Sequence, residues 1–121
     1  MNKAAIEARL GARLDEETFA LLNRLPEPAA AFLDTCMNDL LKMLVPVLGT
    51  LHRKGYTAAY PHRSVWTFTH TTGTLTFFLE TEALEVTFQH DEITEMLEFN
   101  ANNYGRMQFH SWFREVFDET V

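Results

Sequence analysis

The sequence predicts an α+β domain: a three- to four-stranded antiparallel meander, packed on one face by helices that precede and follow it. Three observations carry this. Between Ser64 and His90, apolar residues alternate with threonine and charge at period two, the mark of half-buried strands. Between Ala29 and Leu44 the apolar residues Phe32, Cys36, Leu40 and Leu44 recur at helical spacing. The strand run is punctuated at Thr72-Gly73 and Thr81-Glu82, two residues each, the length of a tight hairpin loop.

In chain order, Asn2 to Leu14 reads as a helix with Ile6, Leu10 and Leu14 on one stripe, weakened by Gly11. Asp15 reads as the N-cap of a second helix, with Glu16 and Glu17 in its first turn, where negative charge meets the positive end of the helix dipole. Pro26 ends that helix, and Pro28 suits the first turn of the next. The strong helix spans Ala29 to Leu44, with Leu33, Met37 and Leu41 widening its stripe. Pro46 is expected to kink or break it there. A short helix then runs to Lys54, stopped by Gly55. Cys36 reads as a core residue, because no neighbour supplies the positive setting that a reactive thiolate needs.

Tyr56 to Tyr60 reads as a fourth, edge strand, with Pro61 suited to an edge because it cannot donate to a ladder. In the meander, glycine at position 73 supplies a positive φ. The first turn then sets His70 opposite Leu75, Phe68 opposite Phe77 and Trp66 opposite Leu79. The second sets Leu79 opposite Leu84, Phe77 opposite Val86 and Leu75 opposite Phe88. One face collects Trp66, Phe68, His70 and the apolar residues of the next two strands. The other collects threonines with Phe78, Glu80 and Glu85. A slip of one residue would destroy the sorting. Asp91 then reads as an N-cap for a helix over Glu92 to Asn100, with Ile93, Met96 and Leu97 inward and Asp91, Glu95 and Glu98 outward. Asn100 to Gly105 reads as a loop. A last helix covers Arg106 to Asp118 with an aromatic face, and Asp118 and Glu119 oppose its dipole, which predicts fraying. Residues 1–121 thus form one domain: helical over 1–55, sheet over 56–90, helical over 91–121.

The charge is unevenly placed. Residues 1–63 hold eight Lys/Arg against seven Asp/Glu, a net of +1. Residues 64–121 hold two Arg against ten Asp/Glu, a net of −8, which completes the total of −7. Such a field repels phosphate backbones and attracts basic surfaces, so direct nucleic-acid binding is disfavoured. No apolar run approaches the roughly 20 residues of a membrane span. The first residues carry Glu and Arg where a signal peptide needs an apolar run, and the single Cys36 allows no internal disulfide; a cytoplasmic location is the expectation.

Motifs for phosphate cradles, zinc proteases and nucleophile elbows are absent. Histidine is the one chemical candidate: the expected register brings His70 and His90 to the same end of the same face, where they could share an ion or do acid–base work. A capped core edge explains them as well, and no catalytic residue, metal or cofactor is assigned. The paired carboxylates sit on what reads as open surface, without the burial that raises a pKa for general acid duty.

The favoured reading is a non-enzymatic protein-binding module. Its contact residues are Phe78, Glu80, Glu82, Glu85, Glu92, Glu95 and Glu98, an aromatic anchor within an acidic rim. The expected partner is a protein with a basic surface, such as one that handles nucleic acid, and the expected role is inhibitor or regulator. Phage-encoded inhibitors of host nucleases work in that way; the analogy rests on size and charge alone. The rival readings are an adaptor or secretion-type chaperone acting as a homodimer, joined through Ser64–Thr71, the Phe78 face or the last helix, and a small enzyme using His70 and His90.

Overall fold

The computed structural model describes residues 2–117. It is an α+β structure in two layers: one five-stranded antiparallel sheet in the order β1-β2-β3-β4-β5, and five helices whose apolar side chains meet one face of it. The strands are β1 (Thr57–His62), β2 (Val65–His70), β3 (Gly73–Leu79), β4 (Ala83–His90) and β5 (Ile93–Asn100). Four helices precede them: α1 (Lys3–Leu10), α2 (Glu16–Asn23), α3 (Glu27–Thr35) and α4 (Asn38–Arg53). One follows, α5 (Asn103–Phe117). The expected end of the last helix at Asp118 and the fraying at Asp118 and Glu119 lie outside the described residues.

The helical half departs from expectation at three places. Gly11 does not weaken a long helix; it ends α1 in the left-handed conformation, φ 68°, and Leu14 lies beyond it. The stripe from Ala29 to Leu44 is cut at Cys36 and Met37, both extended, so α3 and α4 are separate helices. Arg9 of α1 makes the cut tenable. Its guanidinium donates to the Leu33 and Cys36 carbonyls at 2.7 and 2.6 Å, which a continuous helix would have satisfied itself, and to Asn38 Oδ1 at 2.8 Å. Pro46 does not break α4, which runs through it to Arg53. Pro46 is exposed, so the carbonyl it leaves unpaired one turn earlier lies on the solvent side. Asp15 caps α2 as expected, accepting from the Thr18 amide at 2.7 Å, and Gly55 follows α4 with φ 86°.

The edge strand expected at Tyr56–Tyr60 is β1, with an irregular register between Ala59 and His62 around Pro61. The β3–β4 pairing is the expected one. The β2–β3 pairing differs by two residues: His70 faces Gly73, Phe68 faces Leu75 and Trp66 faces Phe77, so the turn is Thr71-Thr72. A shift of two preserves which face each side chain takes. Gly73 is required for space rather than for a positive φ, since a Cβ there would stand 2.6 Å from the Gln89 carbonyl oxygen.

The larger correction is at residues 93–100. The expected acidic helix is β5, paired along its whole length with β4. Asp91 and Glu92 form the hairpin loop, at φ 46° and 64°. Both residues of a tight hairpin loop with that twist need positive φ, and Asp-Glu lacks the glycine that signals it. Helical and strand readings both bury Leu97, so the apolar pattern alone could not separate them. The strand Ser64–Thr71, expected as an exposed edge for dimerisation, is the interior strand β2; the edges are β1 and β5.

Trp66, Phe77 and Leu75 from the sheet and Leu40, Met43 and Leu44 from α4 are fully enclosed in the core. Aromatic residues of α5 complete it. The half-buried His110 of α5 donates from Nε2 to the Met43 carbonyl of α4 at 3.2 Å, which fixes the neutral tautomer. Burial, aided by Arg106 and Arg114, holds its pKa below the ordinary 6.5 despite that bond. Below that value the unfolded chain takes up a proton that the folded chain refuses, so stability rises with pH and falls on acidification. His110→Gln is expected to flatten the stability slope below about pH 6.5, as read by urea denaturation at stepped pH.

Candidate functional site

The sheet face away from the helices is open. Its side chains fall in rows across the strands, set by the register. One row is Ala59, Thr67, Thr76, Thr87 and Met96. A parallel row runs Thr57, Thr69, Thr74, Gln89 and Thr94. The third is Val65, Phe78, Glu85 and Glu98. Threonine suits such a face because it is β-branched and polar at once.

The third row carries the site. Phe78 is 37% exposed, a large apolar side chain beside Glu85. Glu85 and Glu98 stand directly opposite each other on β4 and β5. Like charges so placed destabilise a sheet. Repulsion from Glu80, with some desolvation and the nearness of Glu98, holds the Glu85 carboxyl above the usual carboxylate range. Glu80, Glu82 and Glu98 line a shallow cleft of about 610 Å³ at this end of the sheet, with Asn100, Asn102 and the exposed Met37. The ion pairs among the described residues are Lys3–Glu16 and Arg53–Glu17, with His90–Glu95 a third when the imidazole is protonated; none of them neutralises Glu80, Glu82, Glu85 or Glu98.

Five of the seven residues expected at a contact surface are thus gathered: Phe78, Glu80, Glu82, Glu85 and Glu98. The other two are not. Glu92 is in the β4–β5 loop, at the far end of β5, roughly 20 Å from Glu98 along the strand. Glu95 lies on the helix-covered side of the sheet, where it meets His90 Nε2 at 3.0 Å. Their separation follows from β5 being a strand, since Glu95 and Glu98 share a face on a helix but take opposite faces of a sheet. Met96 is 79% exposed on the open face, although the helical reading turned it inward.

His70 and His90 border one shallow cleft but engage different partners. His70 Nδ1 is 3.0 Å from Thr72 Oγ1, and its ring lies on Tyr56 with centroids 5.0 Å apart. His90 stacks on Phe88 at 4.5 Å and pairs with Glu95. Among the described residues no three His, Cys, Asp or Glu side chains are arranged to hold a metal ion. The Cys36 thiol is half-buried, and burial pushes its pKa up, away from thiolate chemistry. No described helix is long and apolar enough to cross a membrane.

No protein family, curated protein or solved structure matches this chain, so its site is read from its own geometry.

Proposed function

We propose that this chain is a non-enzymatic protein-binding module that docks, through the Phe78–Glu98 end of its open sheet face, on a partner with a basic surface. The observation that supports this reading is an exposed aromatic ring opposite Glu85, at the same end of the sheet as Glu80, Glu82 and Glu98, with no counter-ion for these four carboxylates among the described residues. Glu80 and Glu98 both repel Glu85, so the arrangement costs the fold stability. A basic partner would relieve that repulsion, and the acidic field would speed encounter with it. A role as inhibitor or regulator of a nucleic-acid-handling protein in the cytoplasm fits the charge, because a basic surface that binds phosphates also binds carboxylates.

The test is affinity capture from source-cell lysate with stepped salt elution, using the wild-type chain and the Glu85→Lys/Glu98→Lys variant side by side. The expected result is one protein retained by the wild type, released by moderate salt, and bound at least about tenfold more weakly by the variant. Phe78→Ala should weaken the same complex with little loss of stability. Equal retention by wild type and charge-reversed variant would remove the acidic row from the interface.

A second reading, a homodimeric adaptor, draws on β5. This edge strand has eight residues, no proline, no lysine and a regular ladder on its inner side, with Ile93 and Met96 exposed. An unpaired edge of that kind is a template for another strand.

A further inference from the structure

The chain has ten Lys and Arg against seventeen Asp and Glu. Four of those ten border one cleft. Arg13, Lys42, Arg53 and Arg106 line a cavity of about 410 Å³ between the α1–α2 connection, α4 and α5. Arg106 is one of only two basic residues in the acidic half of the sequence, and the fold carries it across to the other three. A single acidic residue, Asp15, shares the lining, and its carboxylate is engaged by the Thr18 amide at 2.7 Å. The cleft is therefore a positive spot on a negative molecule, formed by the helices rather than by the open sheet face that carries the acidic row.

Its construction goes beyond charge. The buried Leu14 and Val45 contribute an apolar lining. Gly49 of α4 leaves room: a Cβ there would stand 3.2 Å from both Thr18 Oγ1 and Arg53 Nη1, so any side chain would crowd the hydroxyl and the guanidinium that reach the cleft. Arg53 is partly engaged, with Glu17 at 3.5 Å and Thr50 Oγ1 at 3.3 Å, and Arg106 bonds Asn103 at 2.9 Å. Arg13 and Lys42 have no side-chain hydrogen bond or ion pair among the described residues. Arg13 and Lys42 thus stand without a counter-ion beside two further cations; like charges so gathered repel one another, and a bound anion reverses the sign of that energy. Guanidinium groups offer paired donors that match phosphate and carboxylate oxygens. The volume is in the range of small-molecule pockets, which combine apolar walls with a few placed polar groups.

We infer that this cleft binds a small organic anion, with its phosphate or carboxylate head held by Arg13, Lys42, Arg53 and Arg106 and its apolar body against Leu14 and Val45. The site is independent of the sheet face, and each can fail without the other.

The experiment is calorimetric titration of the full chain with octyl phosphate, octanoate and inorganic phosphate. One-to-one binding of octyl phosphate or octanoate is expected, with Kd below about 1 mM and at least about tenfold tighter than inorganic phosphate, which lacks the apolar body. Octyl phosphate ahead of octanoate would assign a phosphate head; the reverse would assign a carboxylate. Arg13→Ala/Lys42→Ala should weaken binding by about tenfold or more and leave the melting temperature in place, because neither side chain has a partner to lose. Glu98→Lys, on the opposite layer, should leave the titration unchanged. Failure of both organic anions to bind one to one, or binding indifferent to the double variant, would overturn the inference.

Discussion

Gly105→Ala is expected to cost more than about 4 kcal/mol and to leave little folded protein, an effect of the size reserved for severe steric or core lesions. Alanine at a helix interior ordinarily gains about 1 kcal/mol over glycine, so two effects compete here. The second is larger. Gly105 is in the first turn of α5, where its amide donates to the capping Asn102 Oδ1 at 2.7 Å. A Cβ at this position would overlap the carbonyl oxygen of Asn100 and stand 2.7 Å from its carbonyl carbon. That obstacle is backbone, not the end of a flexible side chain. It cannot step aside, because Asn100 closes the β4–β5 ladder against Ala83 and its carbonyl accepts from the Asn102 amide. Either α5 lifts from β5 or the end of the ladder opens. Urea denaturation by circular dichroism measures the loss; unchanged stability would mean that α5 can seat farther from β5 without penalty.

Phe109→Ala should cost about 3–5 kcal/mol, the range for a fully buried aromatic cut back to a methyl. Phe109 is 0% exposed and sits where three elements meet. Its ring lies 5.9 Å from Phe77 of β3 and 5.4 Å from Phe99 of β5, both edge-on, and 6.1 Å from Phe113 of its own helix. Phe77 and Phe99 are anchored in the sheet and cannot collapse into the space, so the cavity term adds to the lost transfer energy. The urea midpoint should fall with the slope unchanged. A loss below about 1 kcal/mol would mean that the core repacks freely around α5.

The parts legible in the sequence were those settled by local period and short loops. The alternation from Val65 to His90 gave three strands and the correct faces, and the second turn was right to the residue. The first turn lies one residue earlier than expected, which shifts the pairing by two, because β4 passing beside Gly73, not a positive φ, is what excludes a side chain there. The break at Cys36 was invisible because its support is Arg9, more than twenty residues away. The β5 strand was hidden because Ile93, Met96 and Leu97 fit a helical stripe and Asp91 fits a cap. Only pairing with β4 shows that Leu97 and Phe99 form the inward set. The site carries the same difference: the expected helix joins Glu92, Glu95 and Glu98 to Glu80, Glu82 and Glu85, and as a strand β5 brings only Glu98 to them. The basic cleft gave no signal, since Arg13, Lys42, Arg53 and Arg106 are scattered over more than ninety residues.

The two margins of the sheet are not equivalent, and this limits how copies of the chain can join. β1 carries Pro61 and an irregular register, which spoil it as a template, whereas β5 keeps an unbroken register along its whole length. Strand addition is thus confined to one side. Two chains joined β5 to β5 would present a blunted β1 at each outer margin, so the assembly would terminate at two. A sheet with two clean margins has no such stop and propagates into a fibre. Net charge works in the same direction near neutral pH and vanishes near the isoelectric point of about 5.1, so there the polarity of the sheet alone separates a finite pair from open-ended growth.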